Sequence, residues 1–306
     1  MQIRTFQLPA DAPRQSVAAW LRKELEVSAS LCRRLRDAPG RILCNGQPVR
    51  TDAVPLPGDV LSADLSDAFL PKDVPISSGD KVKILYEDDW LLCCDKPAGI
   101  LTHSSTLCPG EADLRSLLAA ACGRPIAFHP VNRLDRNTSG AMIVALCGYA
   151  HDLLKRRLHT PDLRRAYLCI CEGVPKTQSG IIDAPIARKA DSVIARCVSE
   201  NGSPARTAFR VLSENGKQSL TLVIPETGRT HQIRVHMAHI GCPLTGDFLY
   251  GQELPGVRFM LHSYALQLRH PVTGALVFAR APIPEDFMKM LSSRKLEYNV
   301  PEELFA

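Results

Sequence analysis

His129-Pro130-Val131-Asn132-Arg133-Leu134-Asp135-Arg136-Asn137-Thr138-Ser139-Gly140, running on into Ala141-Met142-Ile143-Val144-Ala145-Leu146, is the stretch that decides how this chain folds. Its second half is a short, continuous apolar run of the kind that forms a strand covered on both faces. Thr138-Ser139-Gly140 just before it is turn chemistry. The first half is polar and carries one carboxylate, Asp135, between Arg133 and Arg136. A carboxylate at the lip of a rigid element, with a cation on either side, stays ionised and suits an anionic partner. A plainer reading, in which Asp135 only caps a turn, fits this segment equally well.

A second stretch, Glu226-Thr227-Gly228-Arg229-Thr230-His231-Gln232-Ile233-Arg234-Val235-His236-Met237-Ala238-His239-Ile240-Gly241, opens as a turn and continues as a helix. Ile233, Met237 and Ile240 recur at helical spacing, and Gly241 with Pro243 stops the run. Arg229 falls at or just before the helix start, where it can reach across a cleft. Together the two stretches resemble the RluA-type pseudouridine synthases, whose hallmarks are His-Arg-Leu-Asp-x-x-Thr-Ser-Gly and Gly-Arg-Thr-His-Gln-Ile-Arg. The resemblance extends to Ile84–Gly99, with its Lys96-Pro97-Ala98-Gly99 turn, to Arg165-Ala166-Tyr167-Leu168, and to the segments around Leu261-His262-Ser263, His270–Gly274 and Ala281–Pro284. It runs in order from about Val82 to Met290. One position departs: Asn132 stands where the family usually has His. Asn both donates and accepts hydrogen bonds, so a tuned loop is expected rather than a dead site.

The resemblance implies an α+β fold, a mixed and mostly antiparallel sheet with flanking helices and a central RNA-binding cleft. It implies isomerisation of uridine to pseudouridine, which breaks the bond from ribose C1′ to the base nitrogen and remakes it to C5. Nothing is oxidised and no group is imported, so no cofactor or metal is expected. Asp135 is the expected catalytic carboxylate, attacking sugar or base or removing a sugar proton. Arg229 is expected to pair with it, and Tyr167 to face the uracil. Arg133 is expected to brace the space the uridine vacates, with Asn132, Ile233, Leu261 and Arg165 as further contacts to substrate.

Composition agrees with an ordinary globular protein: 306 residues, 45% hydrophobic and 23% charged. The net charge of +5 is mild, so a nucleic-acid surface must come from clustering. No apolar run approaches the roughly 18 residues of a membrane span, and Met1–Asp11 lacks a signal pattern. The eleven cysteines include no Cys-x-x-Cys, which fits reduced thiols in a cytoplasmic chain, taken to act as a monomer.

Residues 1–65 read as a small separate domain. Gln15–Leu25 is amphipathic through Val17, Trp20, Leu21 and Leu25; a second helix spans Ala29–Asp37; and Asn45-Gly46 turns a short hairpin. This order resembles the alpha-L RNA-binding module, and Arg33, Arg34, Arg36, Arg41 and Arg50 offer a basic face for RNA phosphates or simply a solvated one. Residues 66–80 read as a linker and 81–306 as the catalytic domain, with strands expected near 82–86, 91–94, 141–146, 167–171, 208–212, 220–224 and 276–279 and helices near 113–122, 149–158, 230–240 and 285–291. The N-terminal module favours ribosomal over transfer RNA as the structured partner. Two rival classes stand beside the isomerase: a non-catalytic RNA-binding or ribosome-assembly factor, and a hydrolase using Asp135 on a small molecule. His231, His236 and His239 invite a metal reading, but His231 and His236 are five apart and fall on different helix faces.

Overall fold

The computed structural model describes residues 2–67, 82–102, 113–301 and 304–305, so the segment expected as a linker lies outside them from residue 68 onward. The N-terminal unit runs β1 (Ile3–Gln7), α1 (Val17–Leu25), α2 (Ala29–Arg36), β2 (Ile42–Cys44), β3 (Gln47–Pro48) and β4 (Val60–Asp64). Ser16 and Ser28 cap the two helices, each accepting from a backbone N–H three residues on. Val17, Trp20, Leu21 and Leu25 all turn inward, as their spacing predicts. Asn45 and Gly46 both hold positive φ, 48° and 79°, the backbone a two-residue hairpin turn requires. The strands order as β1-β4-β2-β3. Strand β1 was not expected: it is a five-residue edge with no fully buried side chain, so its apolar signal is weak.

The rest of the chain runs β5 (Lys83–Glu87), β6 (Leu91–Lys96), α3 (Leu114–Cys122), β7 (His129–Pro130), β8 (Ser139–Ala145), α4 (Gly148–Arg157), β9 (Leu163–Glu172), β10 (Ser179–Asp183), β11 (Ile186–Arg188), β12 (Arg196–Val198), β13 (Arg206–Glu214), β14 (Gln218–Pro225), α5 (Gln232–His239), β15 (Leu261–Arg269), β16 (Leu276–Arg280) and α6 (Glu285–Ser293). Among the described residues one sheet follows the path β10-β13-β14-β9-β15-β8-β6-β5, with β16 added on β15 and β7 on β8; β11 and β12 form a separate ribbon. Its pairings are antiparallel except β8 with β15. The class is therefore α+β with a mixed, mostly antiparallel sheet, as expected.

Strand β15 occupies the middle of that sheet, yet its sequence does not announce a strand. Its first residues, Leu261-His262-Ser263, place two polar side chains in the interior, and a bulge between Ser263 and Ala265 shifts the register against β9. The parallel contact is short, His262 opposite Ser139 and Ser263 opposite Gly140. Gly140 is required there: its φ is +108°, and a Cβ would lie 2.2 Å from the Ser263 carbonyl oxygen. This junction holds the Asn132–Thr138 loop over the centre of the sheet.

Strand β8 is buried on both faces, and because successive side chains alternate it serves two cores. Ala141, Ile143 and Ala145 pack with Trp20, Leu21 and Ile42 of the N-terminal unit and with Tyr149 and Leu153 of α4. Met142 and Val144 pack with Tyr167, Met237 and Leu261 beneath the cleft. Full burial of a large apolar side chain contributes roughly 1.5–3 kcal/mol, so the first core ties the N-terminal unit firmly to the sheet. Polar contacts reinforce it: Tyr149 donates to Leu25 O at 2.7 Å, Gln2 Nε2 to Leu146 O at 3.0 Å, and Gly148 N to Asp67 Oδ1 at 3.0 Å. Of the basic residues expected on the outer face, Arg41 is drawn inward, to Ser66 O and Asp64.

Candidate active site

A cavity of about 810 Å³ opens above β8, β9 and β15, and all eight residues singled out from the sequence line it. Asp135 sits in a turn closed by Thr138 N donating to Asp135 O at 3.0 Å, directly before β8. Its carboxylate is partly exposed, with Oδ2 3.3 Å from Arg234 Nη1 and 3.9 Å from His231 Nε2. The side chain does not cap this turn: the backbone carbonyl of Asp135 closes it, while the carboxylate faces the cavity.

The guanidinium beside Asp135 is not the one expected. Arg229 lies in the turn before α5 and donates through Nε to Pro204 O at 3.0 Å, so it lines the same cavity without pairing with Asp135. Arg234 takes the position because it is already held. Its Nε and Nη2 clasp Asp247 at 2.8 and 2.7 Å, and its guanidinium lies 4.1 Å from the Phe259 ring centroid and 5.0 Å from that of Tyr250. Only Nη1 remains, and it points at Asp135. His231 adopts the left-handed backbone (φ 57°) at the helix start and accepts or donates at Nδ1 with Tyr250 Oη, 2.8 Å away. Burial holds the His231 pKa below its ordinary value, with Asp135 pulling the other way. Gln232 locks the turn by using its whole amide: Oε1 accepts from Arg229 N and Thr227 Oγ1, and Nε2 donates to Arg206 O and Thr207 Oγ1.

Tyr167 stands on β9 opposite Ser263, almost fully buried, with Ile233, Leu261 and Leu134 in the same apolar cluster. Its hydroxyl has no hydrogen-bond partner among the described residues. Arg133 is exposed at the mouth and meets no carboxylate among them. Arg165, two residues before Tyr167, is buried in the cleft wall. Asn132 is also buried: its Oδ1 accepts from Ile143 N at 2.9 Å, while Nδ2 has no partner among the described residues. The Asn thus ties the loop to β8 and leaves one donor unused at the cleft wall.

Two basic side chains to which the sequence reading gave no role, Lys96 buried and Arg258 partly buried, hold the loop from below. Lys96 is fully buried, and its Nζ donates to Pro97 O, Ile100 O and Arg136 O at 2.8, 2.9 and 3.0 Å. Arg258 donates through Nη1 to Asn137 O and Leu261 O, each at 3.0 Å, and its Nε and Nη2 pair with Asp286. The two carbonyls that follow Asp135 are therefore each pinned by a basic side chain. Lys96 was visible as part of a turn motif, but Arg258 carried no local signal.

The three helix histidines diverge: His231 faces Tyr250, His236 bonds Thr207 and Ala184 O, and His239 is exposed. Among the described residues no three His, Cys, Asp or Glu side chains are grouped to hold a metal, and no helix is long and apolar enough to cross a membrane.

Residues 90–239 match the RNA pseudouridylate synthase family model. The uncharacterised RNA pseudouridine synthase YhcT of Bacillus subtilis is 37% identical over 82% of this chain and 84% of its own. Ribosomal large subunit pseudouridine synthase D of Pseudomonas aeruginosa is 39% identical over 69% of this chain and 71% of its own. Among solved structures, human RNA pseudouridylate synthase domain containing 1 superposes with a TM-score of 0.57 at 27% identity, covering 71% of this chain and 87% of that one. The matched span includes both signature stretches and so the Asp135 turn, Tyr167 and the 226–239 segment, and on these grounds the chain belongs to the RNA pseudouridylate synthase family, an isomerase family.

Proposed function

We propose that this pseudouridine synthase isomerises uridines in structured ribosomal RNA, acting as a cytoplasmic monomer, with Asp135 as the essential carboxylate. The observation that carries the catalytic part is the convergence on one cleft of Asp135, Tyr167 and Arg133, the last without a carboxylate partner among the described residues. The ribosomal target rests on the similarity to enzymes named for the ribosomal large subunit and on the N-terminal unit packed beside the sheet. The residues 1–65 module supplies RNA affinity through the exposed Arg33, Arg34 and Arg36.

In this reading a uridine leaves its stack, at a cost of a few kcal/mol, and enters the cleft. Arg133 fills the gap it leaves. The uracil lies against Tyr167, Ile233 and Leu261, and its ribose meets Asp135. Arg234 keeps the carboxylate oriented, so it acts on sugar or base without reorganising. After C1′–N1 cleavage the base turns within the pocket, C5 bonds to C1′, and the C5 proton departs, with the free Tyr167 hydroxyl in reach to assist.

The test is tritium release from C5-labelled uridine in ribosomal RNA from cells lacking this enzyme, comparing the native protein with Asp135→Asn. Release by the native protein and none by the variant supports the proposal. Release only from transfer RNA overturns the ribosomal target, and undiminished release by the variant overturns the role of Asp135.

A further inference from the structure

One corner of the cleft, where the end of α4, the start of β9 and the 226–229 turn meet, gathers basic groups, and the carboxylate of that turn, Glu226, is turned to Arg206 at 3.4 Å. Arg165 is only 6% exposed; its Nη2 donates to Thr227 O at 3.2 Å and Pro225 O at 3.4 Å and meets His159 Nδ1 at 3.5 Å, and its buried Nε has no partner among the described residues. Lys155 and His159 approach from α4 and the residues after it, and Arg229 from the turn; all four line the cleft that holds Asp135. Among the described residues no carboxylate lies within ion-pairing distance of Lys155, Arg165 or Arg229. The turn packs closely on the imidazole: a Cβ at Gly228 would lie 2.8 Å from His159 Cε1.

Like charges held together, one of them buried, are costly unless an anion joins them. We propose that His159, Lys155, Arg165 and Arg229 form a phosphate subsite that takes the RNA phosphodiester next to the isomerised uridine. This rests on the RNA-acting reading above and gives it a fixed anchor. Arg165 and Tyr167 are alternate residues of one strand, roughly 6–7 Å apart along it, so the phosphate lies within one nucleotide's reach of the base platform. Arg229 thereby has a use other than pairing with Asp135. The His159 pKa is held below its ordinary value by burial and then by Arg165, Arg229 and Lys155, with a hydrogen bond to the Glu226 backbone opposing them. A bound phosphate would reverse the balance and draw a proton onto the imidazole.

The experiment follows the His159 imidazole of the full chain by nuclear magnetic resonance during titration with uridine, uridine 3′-monophosphate, uridine 5′-monophosphate and inorganic phosphate. At least one monophosphate should raise the apparent His159 pKa by about one unit, a tenfold gain in proton affinity, while uridine leaves it unmoved. Lys155→Ala, a change at an exposed helix position, should weaken that monophosphate several-fold and shrink the response; Arg165→Gln should abolish it. A His159 signal indifferent to every phosphate, or moved equally by uridine, overturns the subsite. Inorganic phosphate acting at lower concentration than either nucleotide overturns its assignment to RNA. Tritium release with a silent His159 removes the subsite alone, whereas a responsive His159 without tritium release leaves the subsite standing and removes the proposed target.

Discussion

Arg234 Nη1 stands 3.3 Å from Asp135 Oδ2 while the other two nitrogens of the same guanidinium clasp Asp247. One cation thus serves two carboxylates of unequal situation, since Asp247 is fully buried and the Asp135 side chain is 30% exposed. The clasp to Asp247 fixes the plane of the guanidinium, and that plane fixes where Asp135 points.

Removing the shared cation should therefore damage the fold as well as the chemistry. Arg234→Met leaves Asp247 buried and unpaired and should cost about 3–5 kcal/mol. Asp135→Asn should change stability by less than about 1 kcal/mol, the usual range for a solvent-screened pair. Arg229→Met, at an exposed position, should stay within about 0.5 kcal/mol. Urea unfolding of the three variants at neutral pH ranks them, and an unaltered midpoint for Arg234→Met would contradict the arrangement.

Asn132 offers a second test, because the structure gives it a clear task. Asn132→Ala orphans the Ile143 N–H, a loss of about 1–3 kcal/mol. Asn132→His, the residue usual in the family, retains a ring nitrogen able to accept and should recover at least half of that loss. Unfolding free energies of the pair decide it; equal stability for Ala and His would show that the Ile143 bond is not what Asn132 supplies.

Lys96 predicts a dependence on alkaline pH. Burial pushes its amine down to about 7, with nearby Arg258 adding to the effect and Asp135 opposing it. The folded pKa then lies below the unfolded one, so the unfolded chain holds the extra proton between about pH 7 and 10.5. Stability owed to this group rises with pH across that window. Native protein should accordingly gain on Lys96→Met between pH 6.5 and 8.5 in paired unfolding curves. A gap that narrows over that range would refute the assignment.

His262 governs the acid side. It is fully buried, its Nδ1 2.9 Å from Ser139 Oγ, and burial lowers its pKa to about 4. A depressed histidine contributes stability that is present above its unfolded pKa and lost as pH falls from about 6.5 towards 4. The full loss is of order 3 kcal/mol. His262→Gln should flatten that part of the stability profile relative to native protein, as read from thermal midpoints between pH 7 and 4.5.

Much of the site was legible because its residues sit in two unbroken segments. The 129–146 stretch forms the turn and doubly buried strand that its pattern implies, and the 226–241 stretch forms a turn and helix. All eight chosen residues reach one cleft. The partner of Asp135 was misread because Arg229 and Arg234 differ only in what lies far away, namely Asp247, Phe259 and Tyr250. Strand β15 was missed because His262 and Ser263 put polar groups where a buried strand normally shows apolar ones. Strands β11 and β12 are three residues each, too short for any periodicity. Arg258 acts on a carbonyl 121 positions away, which no local pattern encodes.

That last separation bears on when the enzyme comes into being. The brief parallel contact between Ser139–Gly140 and His262–Ser263 closes a loop of more than 120 residues, and such closures are entropically costly and come late. During synthesis the ribosome releases Asp135 first and Arg234 next, yet the strand that seats both turns has not emerged. A nascent chain that has passed Arg234 but not yet Arg269 carries Asp135, Tyr167 and Arg234 without the strand that assembles their cleft, so the order of the chain separates the appearance of these groups from their convergence.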